Sequence, residues 1–303
     1  MTEQAQAVAR FYAAASEADR GALARVLRDD VRHYLIAPNP GDDPTHDAQA
    51  VIESLTGAVD AIGASWRVDH LLIAGQTACV EWSMGAIDPG FGPCRGCEWI
   101  EIDGDRIAEF RVYLQTDAEV TELDGYPYLQ GIPAETDTTA PGRSGVSSRW
   151  LPVIVNYYDA CTAADVDALS RCFTDDVVHY FVAPNVGSAP VRGRDHLSRY
   201  WRKVARMIDA HWVVESIIER GDEAVIEWSM YWVPVGRTER IVTRGTEWYR
   251  FRDGAIAEIR SYHKQLERST ELKGFDYADH GYSTLGHEAS RLHPDVRPTR
   301  HNG

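Results

Sequence analysis

The chain has 303 residues, 44% of them hydrophobic and 10% aromatic, which suits about two packed domains and excludes a disordered or collagen-like chain. A formal charge of −15 repels phosphate backbones and excludes nucleic acid as an expected partner. No apolar run reaches the roughly 18 residues of a membrane span, and the opening MTEQAQAVARFYAA lacks the basic-then-apolar order of a secretory leader, so the expected location is cytoplasmic and away from membranes.

Taken in chain order, apolar residues at helical spacing predict a first helix over 3–17. A turn at Asp19 leads into a second short helix ending near Leu27. The partly β-branched stretch Val31–Ile36 reads as a strand, and the Pro-Asn-x-Gly sequence from Pro38 to Gly41 as a turn. A third helix is expected over about 48–62, then strands over 66–74, 77–85, 96–102 and 106–114, with Asp103-Gly104 as a hairpin turn. Cys94 and Cys97 form a lone CxxC. With no second CxxC or spaced His pair it reads as two small residues of a hairpin rather than a zinc or redox site. The odd count of five Cys fits reduced thiols. The same order then recurs: a helix over 150–163, a turn at Asp165, a helix ending near Phe173, a strand Val177–Val182, a helix over 194–208, and a meander with its turn at Asp253-Gly254.

The recurrence is a duplication. LARVLRDDVRHYLIAPNPG (23–41) matches LSRCFTDDVVHYFVAPNVG (169–187), at a constant offset of 146 from His33 to His179 and from Asn39 to Asn185. The match continues through Trp66 and Trp212, and through Glu81–Met84 and Glu227–Met230. After a three-residue insertion it resumes at an offset of 149, as RGCEW (95–99) against RGTEW (244–248) and RIAEFRVY (106–113) against AIAEIRSY (255–262). The tails repeat too, Glu122–Tyr128 against Glu271–Tyr277. The expected organisation is copy one over 1–129, a Pro/Gly/Ser/Thr-rich linker over 130–147, copy two over 148–284 and a flexible tail over 285–303. Helices followed by an antiparallel meander make each copy an α+β domain. Scarce lysine (Lys203, Lys264 and Lys273 only) beside abundant Arg points to a GC-rich bacterial genome.

On the Asp-Asp-Val strand entry, the helix after the Pro-Asn-x-Gly turn and the late hairpin RGTEWYRFRDGAIAEIRSY, both copies resemble the nuclear transport factor 2-like superfamily. Its small-molecule branch includes SnoaL-like polyketide cyclases, ketosteroid isomerases, limonene epoxide hydrolases and scytalone dehydratase. The resemblance implies two cone-shaped domains, each a curved sheet and helices enclosing a pocket. It also implies that single-domain relatives pair through their sheets, so this chain is expected to form an internal pseudo-dimer, with a further homodimer open.

Strand alternation sorts the pocket candidates by face. Glu247, Tyr249 and Phe251 share an apolar face, repeated by Glu98, Ile100 and Ile102; each copy thus sets one carboxyl among apolar residues, where burial raises its pKa. His179 shares a face with Phe181, as His33 does with Leu35. In the ketosteroid isomerase pattern the general-base Asp falls on Phe181 or Leu35 and is absent, which leaves His179 as the candidate base. The resemblance puts the oxyanion-hole Tyr on Tyr157 and the oxyanion-hole acid on Glu247; copy one has Phe11 and Glu98 there. Trp228 and Met230, repeated as Trp82 and Met84, stand where the epoxide hydrolases carry Arg and Asp, and Ser261 stands where they carry a last-strand Asp, which argues against that hydrolase. His263 lies in phase with Ser261.

Copy two is therefore expected to be the active copy, with His179, Tyr157, Glu247 and His263 catalytic. Phe181, Trp228, Met230, Tyr249, Phe251, Ser261 and Trp201 would line its substrate site. Copy one, a second pocket around His33, Glu98, Trp82 and Met84, is expected to be degenerate. The expected activity is a cofactor-free isomerase, cyclase or dehydratase using His acid–base chemistry on a hydrophobic carbonyl compound, with no metal. The alternative is a non-catalytic module for a hydrophobic ligand or a protein. The two differ in whether His179, Tyr157 and Glu247 converge on one empty volume.

Overall fold

The computed structural model describes residues 2–39, 41–88, 90–115, 121–127, 142–183 and 189–294. The chain folds as two compact units. The first is Met1–Gly142 with Val182–Val186 and Leu272–Phe275; the second is Arg143–Phe181, Gly187–Glu271 and Asp276–Gly303.

In the first unit, helix α1 (Glu3–Ser16) starts where the Thr2 side chain accepts a hydrogen bond from the Ala5 N–H. Helix α2 (Arg20–Val26) is capped in the same way by Asp19. Helix α3 (Ala48–Ile62) is capped by Asp47 and stopped by Gly63, whose φ of 65° is left-handed. The strands are β1 (Leu27–Leu35), β2 (Ser65–Ala74), β3 (Thr77–Gly85), β4 (Cys94–Asp103) and β5 (Arg106–Leu114). They lie in the order β1-β5-β4-β3-β2. The meander β2–β5 is antiparallel, and β1 joins its edge parallel to β5. β1 begins at Leu27, earlier than the expected Val31, because its register with β5 shifts between Leu27 and Arg32 and the exposed Asp29 and Asp30 occupy that irregularity.

The second unit repeats this plan. Arg143–Ser144 form a short strand, β6, followed by a 3-10 turn at Gly145–Ser147. Helices α4 (Leu151–Thr162), α5 (Val166–Cys172) and α6 (Arg194–Ile208) precede and interrupt strands β7 (Phe173–Phe181), β8 (Val191–Arg192), β9 (His211–Arg220), β10 (Glu223–Trp232), β11 (Ile241–Arg252) and β12 (Ala255–His263). The sheet order is β6-β9-β10-β11-β12-β7-β8, again with one parallel pair, β12 and β7. Helix α4 has no cap from its own Trp150. The Ser148 hydroxyl accepts from the Leu151 N–H at 3.1 Å, and the Glu219 carboxylate on β9 accepts from the Arg149 and Trp150 N–H groups just before the helix, both at 2.9 Å.

Two expectations about the connections are corrected. Of the expected linker, 130–141 lies outside the described residues, but Arg143–Ser147 is regular structure because β6 pairs with β9. Of the expected flexible tail, 295–303 lies outside the described residues, but 285–294 packs on the second unit. The Ser290 hydroxyl donates to the Val214 carbonyl, His293 Nε2 lies 3.2 Å from Asp159, and Leu292 joins the core. The turn at Pro184–Gly187 also lies outside the described residues. Among the described residues no helix is long and apolar enough to cross a membrane.

Cys94 and Cys97 do not act as a pair: three residues apart on a strand, they point to opposite faces. Cys94 joins the core, and Cys97 meets Cys79 across the sheet, Sγ to Sγ 3.4 Å.

One packing feature recurs in both sheets. The indole of Trp82 lies flat over Gly96, and that of Trp228 over Gly245. A Cβ on Gly96 would sit 2.2 Å from Trp82 Cζ2, and one on Gly245 2.4 Å from Trp228 Cζ2. The absence of a side chain at these strand positions lets the indoles lie on the sheet and form the cone floor. Gly96→Ala is expected to destabilise by about 1–3 kcal/mol through overpacking, seen as a lower urea midpoint at unchanged m-value; an unchanged midpoint would refute the contact.

Candidate functional site

In the first unit the inner face of the sheet and helices α1 and α3 surround a cavity of about 110 Å³. Val51, Leu55, Trp66 and Phe110 make it apolar, and Tyr12, His33, Trp82 and Glu98 bring polar atoms to its wall. Glu98 is fixed by β4 with its side chain inward, and the Tyr12 hydroxyl donates to Glu98 Oε1. Among the described residues Tyr12 is the one hydrogen-bond partner of this carboxyl, which leaves Oε2 unclaimed. Burial pushes the Glu98 pKa from 4.5 up to about 7, with the Tyr12 hydrogen bond restraining the rise. The Tyr12 phenol is pushed well above its ordinary value by its own burial and then by the carboxyl beside it. His33, on β1, is lowered to about 4 by burial and is neutral. Its ring makes an edge contact with Phe110 at 5.7 Å and has no hydrogen bond among the described residues. The Trp82 indole N–H is buried without a partner.

In the second unit the corresponding carboxyl is enclosed. Glu247 Oε2 accepts from the Tyr158 hydroxyl at 2.8 Å and from the Tyr249 hydroxyl, while Oε1 accepts from Ser261 Oγ at 2.5 Å. With Glu247 ionised, Ser261 gives its proton to the carboxylate and its oxygen accepts from His179 Nε2, 2.6 Å away. His179 therefore carries its proton on Nε2, and its Nδ1 is buried without a partner. His179 Nε2 lies 3.8 Å from Glu247 Oε1. Burial raises the Glu247 pKa against the pull of these three hydroxyls, and lowers that of His179 well below its ordinary value, with the neighbouring His263 a smaller contribution in the same direction. His263 is itself lowered to about 4 by burial.

The structure thus brings His179, Ser261, Tyr249 and Glu247 together, but not Tyr157. Successive residues on a helix point about 100° apart, so the ring that reaches Glu247 is that of Tyr158, while Tyr157 packs against Phe173 and Tyr249 beside Cys161. Tyr158 corresponds to Tyr12, so the phenol donor is present in both copies, not lost from the first. Phe181 stacks on His179 at 4.0 Å and Trp201 lies 5.4 Å from it. His263 packs edge-on against Trp228. Phe251 stacks on Trp150 at 3.9 Å, and Met230 is buried in the core. Of the four residues expected in the second pocket, His33, Trp82 and Glu98 line the cavity; Met84 packs nearby, outside its wall. Tyr12, Tyr158 and Leu55 are site residues that sequence reasoning passed over. Only the Tyr pair left a signal, as Tyr12 and Tyr158 match at the repeat offset. Among the described residues no group of three His, Cys, Asp or Glu is arranged to hold a metal ion.

The SnoaL-like domain model matches residues 8–110 and again 154–259. The chain belongs to the SnoaL-like family. Each SnoaL-like copy is an NTF2-like cone. No curated protein matches the chain. Similar solved structures include a protein of unknown function with a cystatin-like fold from Methylobium petroleophilum PM1. It is 33% identical over 45% of this chain and 93% of its own, with a TM-score of 0.35. A putative polyketide cyclase from Sinorhizobium meliloti is 22% identical over 36% and 93%, with a TM-score of 0.30. An epoxide hydrolase from M. tuberculosis is 18% identical over 38% and 81%, with a TM-score of 0.32.

Glu98 sets a pH dependence with a definite sign. Its folded-state pKa of about 7 lies above the ordinary 4.5, so the folded state binds the proton more tightly. Its contribution is fully present below pH 4.5 and is lost as pH rises through about 7. The difference is of order 3 kcal/mol at 1.36 kcal/mol per unit. Glu98→Gln should flatten the fall in stability across that window, and the gap from wild type should open with rising pH. Parallel stability curves for the two proteins would show that Glu98 does not titrate in this way.

Proposed function

We propose that the first unit carries the working site: a cofactor-free acid–base pocket of isomerase or dehydratase type for a small hydrophobic carbonyl compound. The observation that carries this reading is the apolar cavity of about 110 Å³ whose wall keeps one carboxyl oxygen, one imidazole and one indole N–H unclaimed. A dry cavity of ~150 Å³ takes benzene, so the smaller volume here argues against a fused polyketide and against cyclisation, and fits a small carbonyl compound whose ring extends toward the cavity mouth. A carboxyl that titrates near neutrality is suited to move a proton. Glu98 takes the proton α to the carbonyl and returns it, and the Tyr12 hydrogen bond steadies the carboxylate in between. The Trp82 N–H is the available donor for the oxygen that gains charge. Neutral His33 offers a further hydrogen bond. Epoxide hydrolysis is disfavoured, because Trp82 and Met84 stand where that chemistry has Arg and Asp.

This reading moves the chemistry from the copy expected to hold it to its neighbour in sequence. The second reading, binding without turnover, is favoured by Val112: it stands where Ser261 orients His179, so His33 has no such orienting partner.

The test is exchange of the methyl protons of acetophenone with deuterated solvent, followed by NMR. Exchange should rise with pH through about 7 and fall roughly 10²–10⁴-fold in Glu98→Gln. Binding without exchange would favour the second reading. Exchange lost in His179→Ala but kept in Glu98→Gln would return the chemistry to the second unit.

A further inference from the structure

We infer that the second unit contains a latent ligand site, closed by the indole of Trp201, for the same class of small planar carbonyl compound; this rests on the reading of the first unit's cavity as a ligand site. The two copies supply the comparison. Position by position at the repeat offset, the cavity wall of the first unit has Leu55, Val51 and Ala15 where the second has the bulkier Trp201, Leu197 and Cys161. Trp66 and Trp82 are matched by Trp212 and Trp228. The largest change is Leu55 to Trp201. The Trp201 indole makes an edge contact with Trp212 at 5.4 Å and lies 5.4 Å from His179, at the position where the smaller Leu55 borders the first unit's cavity.

What marks this as a filled site is the polar atoms left behind. Trp201 Nε1, Trp228 Nε1 and His179 Nδ1 are all buried without a partner, where native interiors pair nearly every such group. Trp228 Nε1 is a donor suited to a carbonyl oxygen, and Trp201 Nε1 moves away with its indole when the site opens. The third, with the proton held on Nε2, is an acceptor suited to an enol hydroxyl. Behind it, His179 is oriented through Ser261 by Glu247. Trp201 is also the outermost of the group, 7% exposed, whereas His179 and Ser261 are fully buried. Its rotation on α6 would open the space without moving the sheet.

The experiment is calorimetric titration of the full chain with acetophenone, with folding of each variant checked by circular dichroism. Wild type should bind one equivalent. Leu55→Trp should abolish binding, and Trp201→Leu should raise it to two equivalents. In Trp201→Leu, His179→Ala should weaken the added site and leave the first unchanged. If Trp201→Leu does not fold, Trp201→Phe, which keeps an aromatic ring on α6, should gain the second equivalent more weakly. Folded variants that still bind one equivalent, or a wild type that binds two, would overturn the latent site. Failure of the first-unit reading looks different: wild type binds nothing while Trp201→Leu gains one equivalent.

Discussion

Everything in each cone is arranged around one buried carboxyl. Glu98 and Glu247 sit on the inner face of the sheet, 6% and 4% exposed, in surroundings where an unpaired carboxylate is very unfavourable. Such a group must either hold its proton or be surrounded by donors. The first-helix tyrosine, Tyr12 or Tyr158, supplies one donor in each copy. The glycine that lets the indole lie on the sheet, Gly96 or Gly245, shapes the floor beside it.

The copies then diverge in how they complete the shell. In the second unit Tyr249 replaces Ile100 and Ser261 replaces Val112, and both hydroxyls donate to Glu247. Read as sequence, these substitutions look like a gain of catalytic polarity in copy two. In the folded unit their hydroxyls hold the carboxyl from within, and Trp201 stands where the first unit has the smaller Leu55. The first unit keeps its apolar residues at these positions. Glu98 therefore has one donor and a raised pKa, and the volume beside it stays open. Apolar substitutions that make a copy look degenerate are the ones that leave a carboxyl available.

Much of the fold was legible because it depends on local periodicity. The duplication, the third helices at Ala48–Ile62 and Arg194–Ile208, and the inward side of Glu98 and Glu247 all follow from offsets of 146 and 149, helical spacing and strand alternation. The features that escaped depend on angle or volume. The phenol that reaches Glu247 is that of Tyr158, one residue beyond Tyr157, and on a helix one residue turns the side chain to another face. The parallel pairing of β1 with β5 is a non-local contact with no signature in its own residues. The two N–H groups that lead into helix α4 are held by Glu219, a residue far along the chain, and the packed tail at Ser290 and His293 reads in sequence only as a polar stretch. The cavity is a difference between summed side-chain volumes, and no single residue announces it.

The SnoaL-like fold by itself does not choose a reaction, because it hosts many chemistries on one scaffold. What chooses is the state of the carboxyl and its neighbours. A Glu247 with both oxygens already held by hydroxyls can orient His179 through Ser261, and three of its roughly four acceptor sites are taken. A Glu98 with one oxygen free can exchange a proton with whatever enters the cavity, but it has no serine through which to orient His33. Polarity and room therefore trade against each other at the same two positions of the repeat, and a single scaffold yields one unit organised around its own side chains and one left open to a guest.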